Sequence, residues 1–148
     1  MLIDNSIADV VTGGASGLGK ASAQALARAG VRVAIFDIND TAGEIVAKEI
    51  GGVFCKVNIL SEESVVSGFD RARSANGQER ICVHCAMTAR RGKTLSFDKA
   101  TGGYKRTSTE DYAFGVEGIL VASYRIASLS ALGMASLQPL EDGERGVI

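Results

Sequence analysis

Residues 11–20 read VTGGASGLGK, four glycines and a lysine directly behind a short apolar run. The stretch satisfies two phosphate-binding patterns at once. A loop between a strand and a helix offers an anion free backbone N–H groups and the positive end of the helix dipole. Read one way, Gly14 to Lys20 fits G-x-x-x-x-G-K. That pattern requires Ser or Thr next, to place a hydroxyl on Mg²⁺, and Ala21 stands there instead. Ser22 comes one position late, turned by about 100° around the helix. Nor does the chain offer a convincing acidic residue at a strand end as the second magnesium partner. Read the other way, Thr12-Gly13-x-x-x-Gly17-x-Gly19 is a strand-to-helix dinucleotide turn, with Asp37 lying 24 residues after Gly13. A carboxylate there accepts hydrogen bonds from the adenine ribose hydroxyls and repels a 2′-phosphate, which predicts NAD over NADP.

The neighbouring sequence supplies the scaffold for such a turn. Ile7 to Val11 reads as a strand and Ala21 to Ala29 as an alanine-rich helix ended by Gly30; VRVAIFD follows as a second strand. A helix from about Thr41 to Ile50 stops at Gly51-Gly52, and VFCKVNI makes a third strand. Ser61 caps the next helix, whose first turn carries Glu62 and Glu63 and whose apolar face is Val65, Val66, Phe69 and Ala72. RICVHCA is the fourth strand. A polar, glycine-containing loop spans Met87 to Thr107, and Ser108 to Asp111 has capping-box spacing at the head of a long helix reaching about Gly133.

Strands alternating with helices at this spacing predict an α/β fold, a doubly wound Rossmann-type parallel sheet with right-handed crossovers. GERGVI, at the end, reads as the start of a fifth strand. The expectation is therefore one dinucleotide-binding domain over residues 1–148, truncated at that strand and forming the N-terminal part of a longer protein.

Composition bounds the function classes. With 148 residues, 46% of them apolar, the chain is long enough for one core. A formal charge of −1 offers no global field for nucleic acid or an anionic membrane. No contiguous apolar stretch approaches the roughly 20 residues of a spanning helix, and MLIDNSIADV lacks a signal-peptide pattern. A cytoplasmic protein without nucleic-acid or membrane partners is the expectation. Three cysteines are too few and too odd a set for a disulfide framework. Cys82 and Cys85 match C-x-x-C, but in a strand residues three apart point to opposite faces, so no shared metal is expected.

The glycine turn, Asp37, FDIND, HCA and GERGVI together resemble the short-chain dehydrogenase/reductase family, and within it the type-2 3-hydroxyacyl-CoA dehydrogenase branch. The resemblance covers the whole chain and the first part of a family member. It implies that Gly13, Ser16, Gly17, Leu18 and Gly19 meet the dinucleotide, and that Asp37 and Ile38 border its ribose. Asn58 and Ile59 would edge the adenine, while Cys85 and Ala86 line the middle. It further implies an NAD-dependent oxidoreductase acting on a secondary alcohol or ketone, with a 3-hydroxyacyl-CoA as the substrate class, and a homo-oligomer packed through the long helix.

Four departures stand out. Asn58 replaces an aspartate, His84 an asparagine and Met87 a glycine, and Ile119 falls where the family keeps an asparagine that holds a proton-relay water. The family's Tyr-x-x-x-Lys is absent: Tyr104, Tyr112 and Tyr124 are followed four residues later by Ser108, Val116 and Ser128. Hence no catalytic residue is assigned within the chain, and the second reading is a catalytically inactive dinucleotide-binding or interaction module. His84, the only histidine, reads as a strand residue without catalytic duty. Between Ala89 and Arg106 six cations (Arg90, Arg91, Lys93, Lys99, Lys105, Arg106) face one carboxylate, Asp98, a net of +5. Such a segment could meet the phosphates of coenzyme A, or simply be a solvated loop.

Overall fold

The computed structural model describes residues 1–90 and 92–148. Four parallel strands, β1 (Ala8–Thr12), β2 (Arg32–Asp37), β3 (Val53–Lys56) and β4 (Ile81–His84), form one sheet in the order β3-β2-β1-β4. The chain runs outward from β1 to β3 and then crosses back to place β4 on the other side of β1. That reversal opens a crevice at the carboxyl ends of β1 and β4, where such sheets bind ligands.

Strand alternation divides the apolar residues between two cores. On one face Val11, Val33, Ile35 and Phe54 meet Ala23 of α1 (Gly17–Arg28) and Val46 and Ala47 of α2 (Asp40–Ile50). On the other, Val10, Phe36, Cys55 and Val57 meet Val65, Phe69 and Ala72 of α3 (Glu62–Asn76). The helix ends follow from local chemistry. Asn39 Oδ1 accepts from Ala42 N, and Ser61 Oγ accepts from Ser64 N, as its position before two glutamates predicts. Gly51 closes α2 in the left-handed conformation at φ 67°.

Beyond β4 the structure corrects three readings. The segment expected to be a polar loop contains an antiparallel hairpin, β5 (Leu95–Asp98) and β6 (Gly103–Arg106), with Phe97 opposite Tyr104 and the turn made by Gly102 at φ 69°. Arg91 of the basic segment lies outside the described residues. The long helix begins as expected, with Ser108 Oγ accepting from Asp111 N. The capping box is not completed, however, because the Asp111 carboxylate takes Arg90 Nη1 at 2.7 Å.

That helix comprises α4 (Thr109–Val116), a π turn (Glu117–Val121) and α5 (Ala122–Ala135). At 27 residues, Thr109–Ala135 is long and apolar enough to cross a membrane by length and composition, contrary to the reading from contiguous apolar runs. Isolated polar residues break the run without removing the overall apolarity. Ala122, Ile126 and Met134 of α5 close the core over α3 and β4, whereas Tyr112, Leu120, Tyr124 and Leu132 are exposed. Val147 then pairs with Ile81 in parallel through a single bridge, so the end of GERGVI lies beside β4.

Candidate functional site

The crevice at the strand ends is a cleft of about 550 Å³. Gly13, Ser16, Gly17, Leu18 and Gly19 form one wall, Asp37 and Ile38 the end of β2, Ile59 the β3 side, and Cys85 and Ala86 the exit of β4. Ten of the predicted contact residues thus share one space. Asn58 does not join them: it is exposed, and its Oδ1 folds back to accept from Leu60 N at 3.1 Å. An Asx turn occupies one lone pair of the group that was expected to meet adenine. Phe36, Val57, His84 and Met87 also line the cleft. The first two were legible as core-facing strand residues but gave no separate ligand signal.

The first wall is built from close backbone contacts. Gly13 sits at φ 66°, and a Cβ there would stand 2.9 Å from Ala86 N. A Cβ on Gly19 would run into the Gly13 carbonyl, so helix α1 starts as close to the turn as it does only because that residue is glycine. The Ser16 side chain makes no capping bond. The leading N–H groups of α1 therefore face outward at the positive end of the helix.

Asp37 is tied to this wall. Its Oδ2 accepts from Ala15 N at 3.1 Å and its Oδ1 from Asn39 N at 3.0 Å, which leaves each oxygen a further lone pair toward the cleft. Among the described residues, no Lys or Arg lines the cleft. Lys20, the cation of the alternative phosphate pattern, turns away to Glu49 at 3.2 Å. Both facts weigh against a magnesium-nucleotide site.

Thr12, fully buried, joins β1 to β4. Its Oγ1 accepts from Cys85 N and Ala86 N, each at 3.1 Å, and lies 2.7 Å from His84 Nδ1. With two amides donating to it, the hydroxyl directs its own proton to Nδ1, so the ring is neutral with its hydrogen on Nε2. Burial pushes the His84 pKa below the ordinary histidine value, consistent with that neutral ring. The thiols differ in the same way. Burial raises Cys55 to about 11 and Cys82 to about 12, whereas Cys85, beyond the strand, lines the cleft. Cys82 faces the α3 side core, well separated in role from Cys85. Ile119 lies on the π turn in a separate apolar groove with Tyr112, Val116 and Leu120.

A glycine-walled cleft with outward N–H groups and one fixed carboxylate fits a dinucleotide. A family model described as enoyl-(acyl carrier protein) reductase matches residues 13–113. The chain belongs to the short-chain dehydrogenase/reductase family. It is 37% identical over 149 residues to 3-hydroxyacyl-CoA dehydrogenase type-2 of Drosophila melanogaster, covering 99% of this chain and 56% of that protein. The Homo sapiens protein of the same name is 32% identical, over 94% of this chain and 52% of its own length. Among solved structures, 3-hydroxyacyl-CoA dehydrogenase type-2 from Mycobacterium avium superposes with a TM-score of 0.83 at 28% identity, covering 97% of this chain and 56% of that one. The chain spans about half the length of the curated relatives it matches. Such relatives favour an oxidoreductase family served by a nicotinamide dinucleotide over an inactive binding module.

Proposed function

We propose that this chain forms the NAD-binding portion of an oxidoreductase that interconverts a secondary alcohol and a ketone, with 3-hydroxyacyl-CoA as its substrate class. The observation that carries the cofactor choice is Asp37, held by two backbone amides in a cleft that no cation lines among the described residues. Fixed there, the carboxylate accepts from two ribose hydroxyls and opposes a 2′-phosphate. When bound, the nicotinamide supplies the hydride acceptor. The chain's own residues bind and orient: the head of α1 receives the diphosphate, Ile38 and Ile59 enclose the adenine, and Cys85 and Ala86 present backbone along the middle.

The substrate class draws support from the relatives' names and from the basic hairpin. Arg90 and Lys105 are paired with Asp111 and Asp98, so among the described residues the field offered to coenzyme A phosphates comes chiefly from Lys93, Lys99 and Arg106. Self-association through the exposed apolar residues of the long helix belongs to the same proposal; a monomer in sedimentation at high concentration would remove it.

Calorimetric titration with NAD⁺ and NADP⁺ tests the central claim. NAD⁺ is expected to bind at least about tenfold more tightly. Asp37→Ser should weaken NAD⁺ by about tenfold to a hundredfold, the range for hydrogen bonds to a charged group, and narrow the preference. Tighter binding of NADP⁺, or no binding of either, would overturn the proposal.

A further inference from the structure

One π turn touches both walls of the cleft. On α5, Arg125 is largely buried; its Nη1 donates to the Ile59 carbonyl at 2.6 Å and its Nη2 to Glu117 Oε1 at 2.9 Å. Its Nε lies 3.9 Å from Glu62 Oε2 at the head of α3. Residues eight apart on a regular α-helix stand about 80° out of line at 100° per residue. The extra residue that a π turn accommodates brings Glu117 and Arg125 to within about 20° of one line. The same turn faces β4 through the next residue. Thr88 N donates to the Gly118 carbonyl at 3.3 Å, and a Cβ on Gly118 would press into the Thr88 backbone. Thr88 directly follows Ala86 and Met87, which line the cleft.

We infer that the π turn fixes the separation of the two cleft walls, with Arg125 the positioning residue that carries it to the Ile59 edge. The inference rests on the dinucleotide reading above for its functional consequence, the width of the adenine slot. Without Arg125 the Ile59 carbonyl loses its donor and Glu117 its counter-charge, and the turn after β3 loosens. A lysine cannot replace it, because one ammonium group lacks the planar fork that reaches both oxygens at once.

ADP-ribose, which lacks only the nicotinamide, is titrated into the wild-type chain, Arg125→Met, Arg125→Lys and Glu117→Gln at a temperature well below every melting point. Arg125→Met is expected to bind about tenfold more weakly, because the loosened Ile59 edge must then be ordered on binding, with Arg125→Lys and Glu117→Gln in between. Equal affinities in all four chains, even with lowered melting points, would reduce Arg125 to a structural staple and overturn the inference. Amide hydrogen exchange of Leu60 and Thr88 without ligand separates the two claims. If the wild-type chain fails to bind ADP-ribose, the dinucleotide reading falls. Faster exchange at Leu60 in Arg125→Met, and at Thr88 in Gly118→Ala, would still uphold the wall-fixing role, and unchanged exchange would end it.

Discussion

Asp9 and Glu79 are each 1% exposed, and among the described residues only Glu79 has side-chain partners. Glu79 receives Arg73 through Nε at 3.0 Å and Nη2 at 2.8 Å, with the Ser130 hydroxyl at 2.9 Å. Asp9, the second residue of β1, has both carboxylate oxygens buried without a hydrogen-bond partner among the described residues. Burial lifts its pKa to about 8, with the nearby Glu79 charge adding to the rise and the Val10 amide opposing it. The contrast teaches that depth alone does not decide the fate of a buried acid. A paired one joins elements; an unpaired one holds its proton to higher pH and taxes the fold.

The largest expected effect breaks this contrast by removing the lonelier acid. Asp9 ionises near 3.8 when unfolded and near 8 when folded. Between those values the native state holds more protons, so stability is highest in acid and falls as pH rises toward 8. At neutral pH the penalty is on the order of 4 kcal/mol, an upper bound that local opening and water entry would lessen. Asp9→Val should therefore raise the melting temperature on the order of 10 °C at pH 8, and flatten the decline between pH 5 and 8. An unchanged melting profile would show that Asp9 has found a partner.

Next comes the paired acid. Arg73→Met strands Glu79 and should cost about 3 kcal/mol in denaturant unfolding, the lower end for a broken buried pair because Arg73 is partly exposed. Ser130→Ala removes only one of three donated bonds, and about 1 kcal/mol is expected. If Ser130→Ala cost as much as Arg73→Met, the arginine would not be the partner that matters.

The smallest effect concerns His84. Its folded pKa is depressed, so the unfolded state gains a proton first on acidification, and stability is lost as pH falls below about 6.5. His84→Asn keeps an acceptor for Thr12 and removes the titration. The acid limb of stability should flatten by a small, measurable amount, and an identical limb would place the acid sensitivity elsewhere.

Much of the fold was legible because period and punctuation agreed: Gly13, Gly17 and Gly19 between a strand and a helix, then Asp37 closing the next strand. Asp9 was legible in principle, as a carboxylate inside an apolar run that a central parallel strand buries on both faces. The hairpin was hidden because Leu95, Phe97 and Tyr104 are all largely exposed and pack on no core, so their alternation lies among lysines and threonines. Asn58 stands apart from the other predicted contacts for a local reason, since its side chain turns back to the chain two residues on. Arg125 carried no signal, because its partners lie at Glu117, across a π turn, and at the Ile59 carbonyl, 66 residues distant in sequence. Helical spacing alone finds neither.

The three cysteines have a practical consequence. Cys55 and Cys82 are buried and hold their protons far above neutral pH, while Cys85 borders the cleft. A thiol-directed reagent at neutral pH should therefore label one position, and a dinucleotide seated in the cleft should slow that labelling. The molecule carries its own occupancy gauge, readable by mass alone, with no probe to be engineered in.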